Sequence, residues 1–276
     1  NSTYIKEFLV KLITNFIFSS FKINMDYENC YKPISHKEIQ GLRNATQVFS
    51  DCYLVSSINS LTRNSDGRQI LKENIQKSII SGKPQYKIKF QNIYDSPKDI
   101  FVTKSDFSEL SRTSSDFLEV VCENKTLKAV EIAMGKVVDS HPLLKSLFNR
   151  MADCEQSFEY NNPSRFFKIF TGKEPTVLNE KTLNLSLKGK REKTFQLLDD
   201  IEKSNGEHSF VAGTSVVHHP KLTNWHCYVL EKVNLKEDKI QLYNQREGKS
   251  FSINAETFIR HFKFLVGLLP KDFKTK

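Results

Sequence analysis

The reactive chemistry of this chain rests on three residues that stand far apart in sequence. Cys52 lies in SDCYLVSSINSL, just before or at the start of a predicted helix with apolar positions Leu54, Val55, Ile58 and Leu61 and with Ser50 or Asp51 as its N-cap. A helix N-terminus favours a thiolate through its dipole and free N–H groups, and the thiolate is the competent nucleophile. Taken alone, a cysteine reads as a buried structural residue. His226 falls in the strand-like run WHCYVL, and Asn244 ends the next such run, IQLYNQREG, eighteen positions later. Two neighbouring strands bring such a pair together. The imidazole can take the thiol proton, and an asparagine carbonyl can accept the ring N–H and fix its orientation without adding charge. Singly, His226 reads as a core histidine and Asn244 as a turn residue. In this order and on these elements, the three read as nucleophile, base and orienting group for acyl chemistry at a carbonyl.

The elements that must position them follow from pattern. Residues 4–21 repeat Ile5, Phe8, Leu9, Leu12 and Phe16 at helical spacing, with Glu7, Lys11, Thr14 and Asn15 on the polar side. This segment is expected to pack on the body of the protein, with contact to a membrane surface or a partner as the functional alternative. Lys11 interrupts any signal-peptide core, and the opening Asn1 suggests a fragment boundary. A new unit is expected near Lys37. Residues 84–92 and 99–103 alternate like strands around a turn at Asp95-Ser96-Pro97. A helix is predicted over about 116–139, and the polar stretch 155–192, punctuated by Pro163, Gly172 and Pro175, reads as the lobe boundary. A helix around 194–203 precedes three strand-like runs at 209–217, 225–233 and 239–243, and an apolar run from Phe258 to Leu269 closes the pattern. Helix-rich first and strand-rich later, the chain is expected to be α+β. Its parts are an N-terminal helical extension (1–36), a helical lobe with the nucleophile (37–155) and a β-rich lobe with His226 and Asn244 (156–276).

Composition excludes several function classes. The 276 residues include 21 Phe and 9 Tyr, far more aromatic surface than a disordered chain carries. Only 10 are Gly, which argues against glycine-rich nucleotide loops. No window is long and apolar enough for a transmembrane helix. The net charge of +9 would favour an acidic partner, but the lysines are spread along the chain and no zinc-finger or ribonucleoprotein-type motif occurs, so nucleic-acid binding is not expected. Five widely spaced cysteines (Cys30, Cys52, Cys122, Cys154 and Cys227) make no disulfide framework and no CxxC pair, and point to reduced thiols in a cytosol-like compartment. His218, His219, His226 and Cys227 are the weak case for a metal site. No second ligand group has structural-zinc spacing, and neither metal nor cofactor is expected.

A cysteine followed far downstream by His and Asn is the chain order of papain-like enzymes, and three segments resemble the calpain catalytic core. TQVFSDCYLVSSINSL resembles the family's Gln-Gly-x-x-Gly-Asp-Cys-Trp-Leu segment, aligning Asp51, Cys52 and Leu54. His226-Cys227-Tyr228-Val229-Leu230 resembles its His-Ala-Tyr-Ser-Val strand, and Leu242-Tyr243-Asn244-Gln245-Arg246 its Leu-Arg-Asn-Pro-Trp-Gly segment. Weaker echoes, in order, are the hairpin QYKIKFQNIYDSPKDIFVTKSDF, LKAVEIAMGKV, FFKIFTG and FIRHFKFL, so the likeness runs from about 37 to 270.

The resemblance implies a papain-like two-lobed fold and a cysteine endopeptidase with Cys52, His226 and Asn244 as its catalytic residues. It also implies a glutamine in the oxyanion hole. Gln47 fills that role only with a one-residue slip, and Gln40 is its competitor. Tyr53 replaces the family's Trp after the nucleophile. Gln245-Arg246 replaces the Pro-Trp that shields the Asn–His bond, so a wetter bond is expected, with Trp225 as a substitute shield from the other side. The family's long acidic calcium loop after the Asn is missing, FVTKSDF carries a lysine where an acidic pair is expected, no EF-hand loop occurs, and regulatory domains are not expected. Calcium-independent activity on a protein substrate is therefore expected, in a divergent microbial enzyme acting in a cytoplasm, by analogy that of a host cell entered as a secreted effector. Two rivals keep the same residues: glutamine deamidation or transglutamination, which also begin with a thioester, and a binding module that retains the fold without activity.

Overall fold

The computed structural model describes residues 30–46, 52–93, 95–113, 124–139, 162–179 and 187–274. The predicted helix over 4–21 lies outside them. Along the described residues run β1 (Lys32–Pro33), α1 (His36–Arg43), α2 (Cys52–Leu61), α3 (Ser65–Asn74), β2 (Ile75–Ile80), β3 (Lys83–Ile93), β4 (Ser96–Val102), α4 (Lys104–Thr113) and α5 (Lys125–Asp139). Then come α6 (Asn162–Thr171), β5 (Thr176–Asn179), α7 (Leu187–Lys203), β6 (Ser209–Thr214), β7 (Cys227–Asn234), β8 (Lys239–Asn244), β9 (Lys249–Ile253), α8 (Ala255–His261), β10 (Phe262–Leu268) and α9 (Pro270–Lys274). The protein is α+β. It has a four-stranded sheet in the order β1-β2-β3-β4 and a six-stranded sheet in the order β5-β10-β6-β7-β8-β9, and every strand pair in both is antiparallel.

Helix α2 is the hub. Every residue in it except Tyr53 is buried, as expected of a helix enclosed on all sides rather than one with a single apolar stripe. Its small polar residues are tolerated there because they close hydrogen bonds locally. Ser57 Oγ donates to the Tyr53 carbonyl at 2.6 Å, Ser60 Oγ to Ser57 at 2.8 Å, and Thr62 Oγ1, just beyond the helix, to Asn59 at 2.6 Å. Asn64 then caps α3 by accepting from the Gly67 N–H at 2.7 Å. The same side chain donates to the His208 carbonyl at 2.8 Å and to Ser209 Oγ at 2.6 Å, tying the α2–α3 corner to the start of β6. Gly67 is required at that corner, since a Cβ there would stand 2.2 Å from the Leu61 carbonyl oxygen.

The six-stranded sheet is covered on both faces, and its strands alternate accordingly. Val211, Cys227, Phe264, Val266 and Leu268 belong to one core with α1, α2, α3, α5, α6 and the first sheet. Phe210, Ala212, Tyr228, Leu230 and Leu265 belong to a second core with Leu197, Leu198 and Ile201 of α7 and Phe258 of α8. A strand buried on both sides reads as a continuous apolar run, which is why the sequence shows these strands without a clean period.

The structure refines several sequence expectations. In the first half, β3 and β4 fall on the strand-like runs expected at 84–92 and 99–103, and β1 and β2, which were not expected, complete a four-stranded sheet with them. Residues 162–171, inside the expected lobe boundary, form α6 and join the first core: Phe170 stacks on Phe166 at 5.1 Å and meets Phe90 of β3 edge-on at 6.0 Å. The segment expected as an N-terminal extension also enters that core through Ile34, with β1 paired to β2. Asp95, at φ 62°, lies in the hairpin turn within the expected Asp95-Ser96-Pro97, whereas Ser96 and Pro97 already belong to β4. Pro97 is accommodated because β4 is an edge strand and the ladder shifts register between Phe90 and Ile93. The run from Phe258 to Leu269 splits into α8, capped by Asn254 accepting from the Thr257 N–H at 2.8 Å, and strand β10. No helix among the described residues is long and apolar enough to cross a membrane.

Candidate active site

Cys52 is the first residue of α2, so its own N–H is one of the helix's unsatisfied donors. Its expected caps, Ser50 and Asp51, lie outside the described residues, as does the oxyanion candidate Gln47. The competitor Gln40 sits on the solvent-exposed side of α1. The antiparallel pairing of β7 with β8 sets Val229 opposite Tyr243, which brings the start of β7 beside the end of β8. His226 immediately precedes β7. Its backbone is clasped from β6, where Thr214 N–H donates to the His226 carbonyl at 2.9 Å and Thr214 Oγ1 accepts from the His226 N–H at 3.2 Å. Trp225, the residue before it, holds φ at 52°, a left-handed conformation that a bulky side chain rarely adopts.

His226 Nε2 and Asn244 Oδ1 are 3.0 Å apart. The same oxygen accepts from the Arg246 N–H at 3.0 Å, which fixes it as the carbonyl end of the amide. Nε2 must therefore carry the proton and donate, leaving Nδ1 as the ring nitrogen free to act on the thiol. Tyr228 stands edge-on to the imidazole at 4.7 Å. The expected wetter Asn–His bond is corrected by burial: His226 is 3%, Asn244 1% and Gln245 0% exposed. Gln245, rather than an aromatic, closes the site from this side.

Cys227 and Gln245 complete the arrangement, and sequence reasoning placed neither beside Cys52. The Gln245 amide donates to the Cys227 carbonyl at 2.7 Å and to the Cys52 carbonyl at 3.3 Å, so one side chain bridges the start of α2 to the start of β7. The alternation of β7 turns Cys227 towards α2, into the core that also holds Cys52. Ser56, one turn into α2, donates to the Cys52 carbonyl. The available signal was Cys227 itself, which stands beside the histidine on a strand whose neighbour points to the opposite face.

These contacts set the acidity of the two thiols in opposite directions. The Cys227 hydrogen bond lowers the pKa of Cys52 to about 6, against the effect of burial, with a hydrogen bond and charge from His226 acting the same way. Cys227 is pushed well up by burial, and by its hydrogen bond to and the charge on Cys52. The arrangement thus favours a thiolate on Cys52 and a thiol on Cys227. Asn244 Nδ2 and Gln245 Oε1 are buried without a hydrogen-bond partner. Among the described residues no group of three or more His, Cys, Asp or Glu could hold a metal ion. His218 and His219 are both solvent-accessible, unlike the buried His226–Cys227 pair. No protein-family model matches the chain, and no curated protein matches it.

Proposed function

We propose that the protein is a cysteine endopeptidase of papain-like, calpain-related architecture. The observation that carries this reading is the connected set Cys52–His226–Asn244, with the thiol at a helix N-terminus and Nε2 fixed on Asn244 Oδ1 at 3.0 Å. Cys52 attacks the carbonyl of a peptide bond. The Cys52 N–H at the start of α2 donates to the developing oxyanion, with Gln47 as the second donor that the family resemblance implies. His226 gives its proton to the leaving amine, the thioester remains on Cys52, and a water activated by His226 then releases the acid. Asn244 keeps the ring in the tautomer and orientation that both transfers need. The activity is proposed to be independent of calcium, since Asn244 runs through the short turn 245–248 into β9 where calpains carry their acidic loop.

The test is iodoacetamide labelling mapped by mass spectrometry, with and without chelator, beside hydrolysis of an unfolded protein substrate. Labelling of Cys52 is expected to outpace that of the other cysteines and to titrate with a midpoint near pH 6, because the thiolate fraction rises as pH passes the thiol's pKa. His226→Ala removes that selectivity, chelator leaves it unchanged, and Cys52→Ala abolishes turnover. Slow labelling spread evenly over the cysteines overturns the reading and favours a binding module. A one-dalton shift without chain cleavage, about the change from amide to acid, assigns the same thioester to deamidation instead.

A further inference from the structure

Cys227 performs no step in the proposed hydrolysis, yet it is fully buried in the same core as Cys52. Its carbonyl shares the Gln245 amide with that of Cys52, which fixes the separation of the two main chains. Cys52 and Cys227 are both free thiols. Cys30 meets Ser78 of β2 at 3.1 Å, in the first sheet. A second thiol against a reactive one is the arrangement of a peroxidatic and a resolving cysteine.

We propose that Cys52 and Cys227 form a thiol-modification site, in which a hydroperoxide oxidises Cys52 and Cys227 captures the product as a reversible intramolecular disulfide. The proposal rests on the reading of Cys52 as a reactive thiolate. The Cys52 thiolate attacks the peroxide oxygen; an S–O bond forms, the O–O bond breaks, and the alkoxide leaves as an alcohol with the proton held by His226. Cys227 then attacks the sulfenic sulfur. The S–S bond forms, the S–O bond breaks, and hydroxide leaves as water with the Cys227 proton. Two thiols lose two electrons and one hydroperoxide gains them.

The environment orders these steps. Charge on Cys52 holds the proton on Cys227, so the resolving thiol stays inert while the nucleophile is in its working state. Oxidation to the neutral sulfenic acid removes that charge, and the neutral His226 left by the first step is available as a base. Capture competes with further oxidation to sulfinic acid, which thiols do not reverse. Cys227 thus converts irreversible damage into an off state that a reductant clears.

The full-length protein is treated with hydrogen peroxide, then mapped without reduction. The expected product is a Cys52 peptide linked to a Cys227 peptide, with loss of two hydrogens, loss of Cys52 labelling, and recovery of labelling on adding dithiothreitol. Cys227→Ser retains a donor beside Cys52 but removes capture, so its Cys52 is expected to carry two or three oxygens and not to recover. Wild-type protein that gives those same oxygenated products, without a linked peptide, overturns the proposal. The labelling rate of untreated Cys52 tests the peptidase reading separately. The two ideas therefore fail on different readouts.

Discussion

The face of the second sheet that meets α7 and α8 is lined by large side chains: Phe210, Tyr228, Leu230, Ile240 and Leu242, with Phe258 and Phe262 stacked beside them at 4.4 Å. The face that meets α2 uses smaller ones at the same strands, Val211 and Cys227, and the helix opposite contributes Ser56, Ser57 and Ser60. Large rings fill space and hold the sheet to its cover by area alone. Small residues allow a helix to lie close enough for backbone, thiol and imidazole to meet. The reactive residues sit on the side where volume has been exchanged for proximity, and the aromatic side supplies the rigidity that makes such proximity reproducible.

That contrast can be broken from either side. Phe258→Ala empties a fully buried ring position in the aromatic core and is expected to lower stability by about 3–5 kcal/mol. The Cys52 labelling rate of the folded fraction should be unchanged, as read by denaturant melts beside labelling. A matching fall in labelling would mean that the two faces are not separable. Ser57→Leu overfills α2 and is expected to cost about 1–3 kcal/mol. Unlike the first change it should also slow labelling, because the helix carrying Cys52 is pushed from its seat. Ser57→Ala removes only an intrahelical bond to Tyr53, and its effect on melting is expected to stay within about 1 kcal/mol. A larger loss there would show that the hydroxyl contributes more than local closure.

How far the sequence was legible follows the same division. Cys52, His226 and Asn244 were found because each lies at the end of an element, where a change of hydrophobic period leaves a visible boundary. The bond between His226 and Asn244 needed only a hairpin, which is short-range information. Gln245 and Cys227 were missed as partners of Cys52 because their contacts depend on how α2 seats against β7, across most of the chain. The first sheet was under-read for a different reason. IQKSII in β2 has no clean alternation, and its pairing with β1 joins only Lys32–Pro33 to Gln76–Lys77. The closing run FIRHFKFLVGLL could not be divided by periodicity, since a half-buried helix and a buried strand both present it as apolar. Asn254 was the available mark of the break, as a cap before α8.

The order of the site along the chain has a consequence for synthesis. Cys52 is made early, whereas His226, Asn244 and the Gln245 amide that bridges α2 to β7 arrive more than half the chain later. A polypeptide emerging from the ribosome, or one broken anywhere between α6 and β7, carries Cys52 without the groups that lower its pKa. Such a fragment has an ordinary, sluggish thiol. On the proposed reading the low-pKa state of Cys52 exists only once the carboxy-terminal sheet has closed on α2, so that folding itself would time the onset of reactivity.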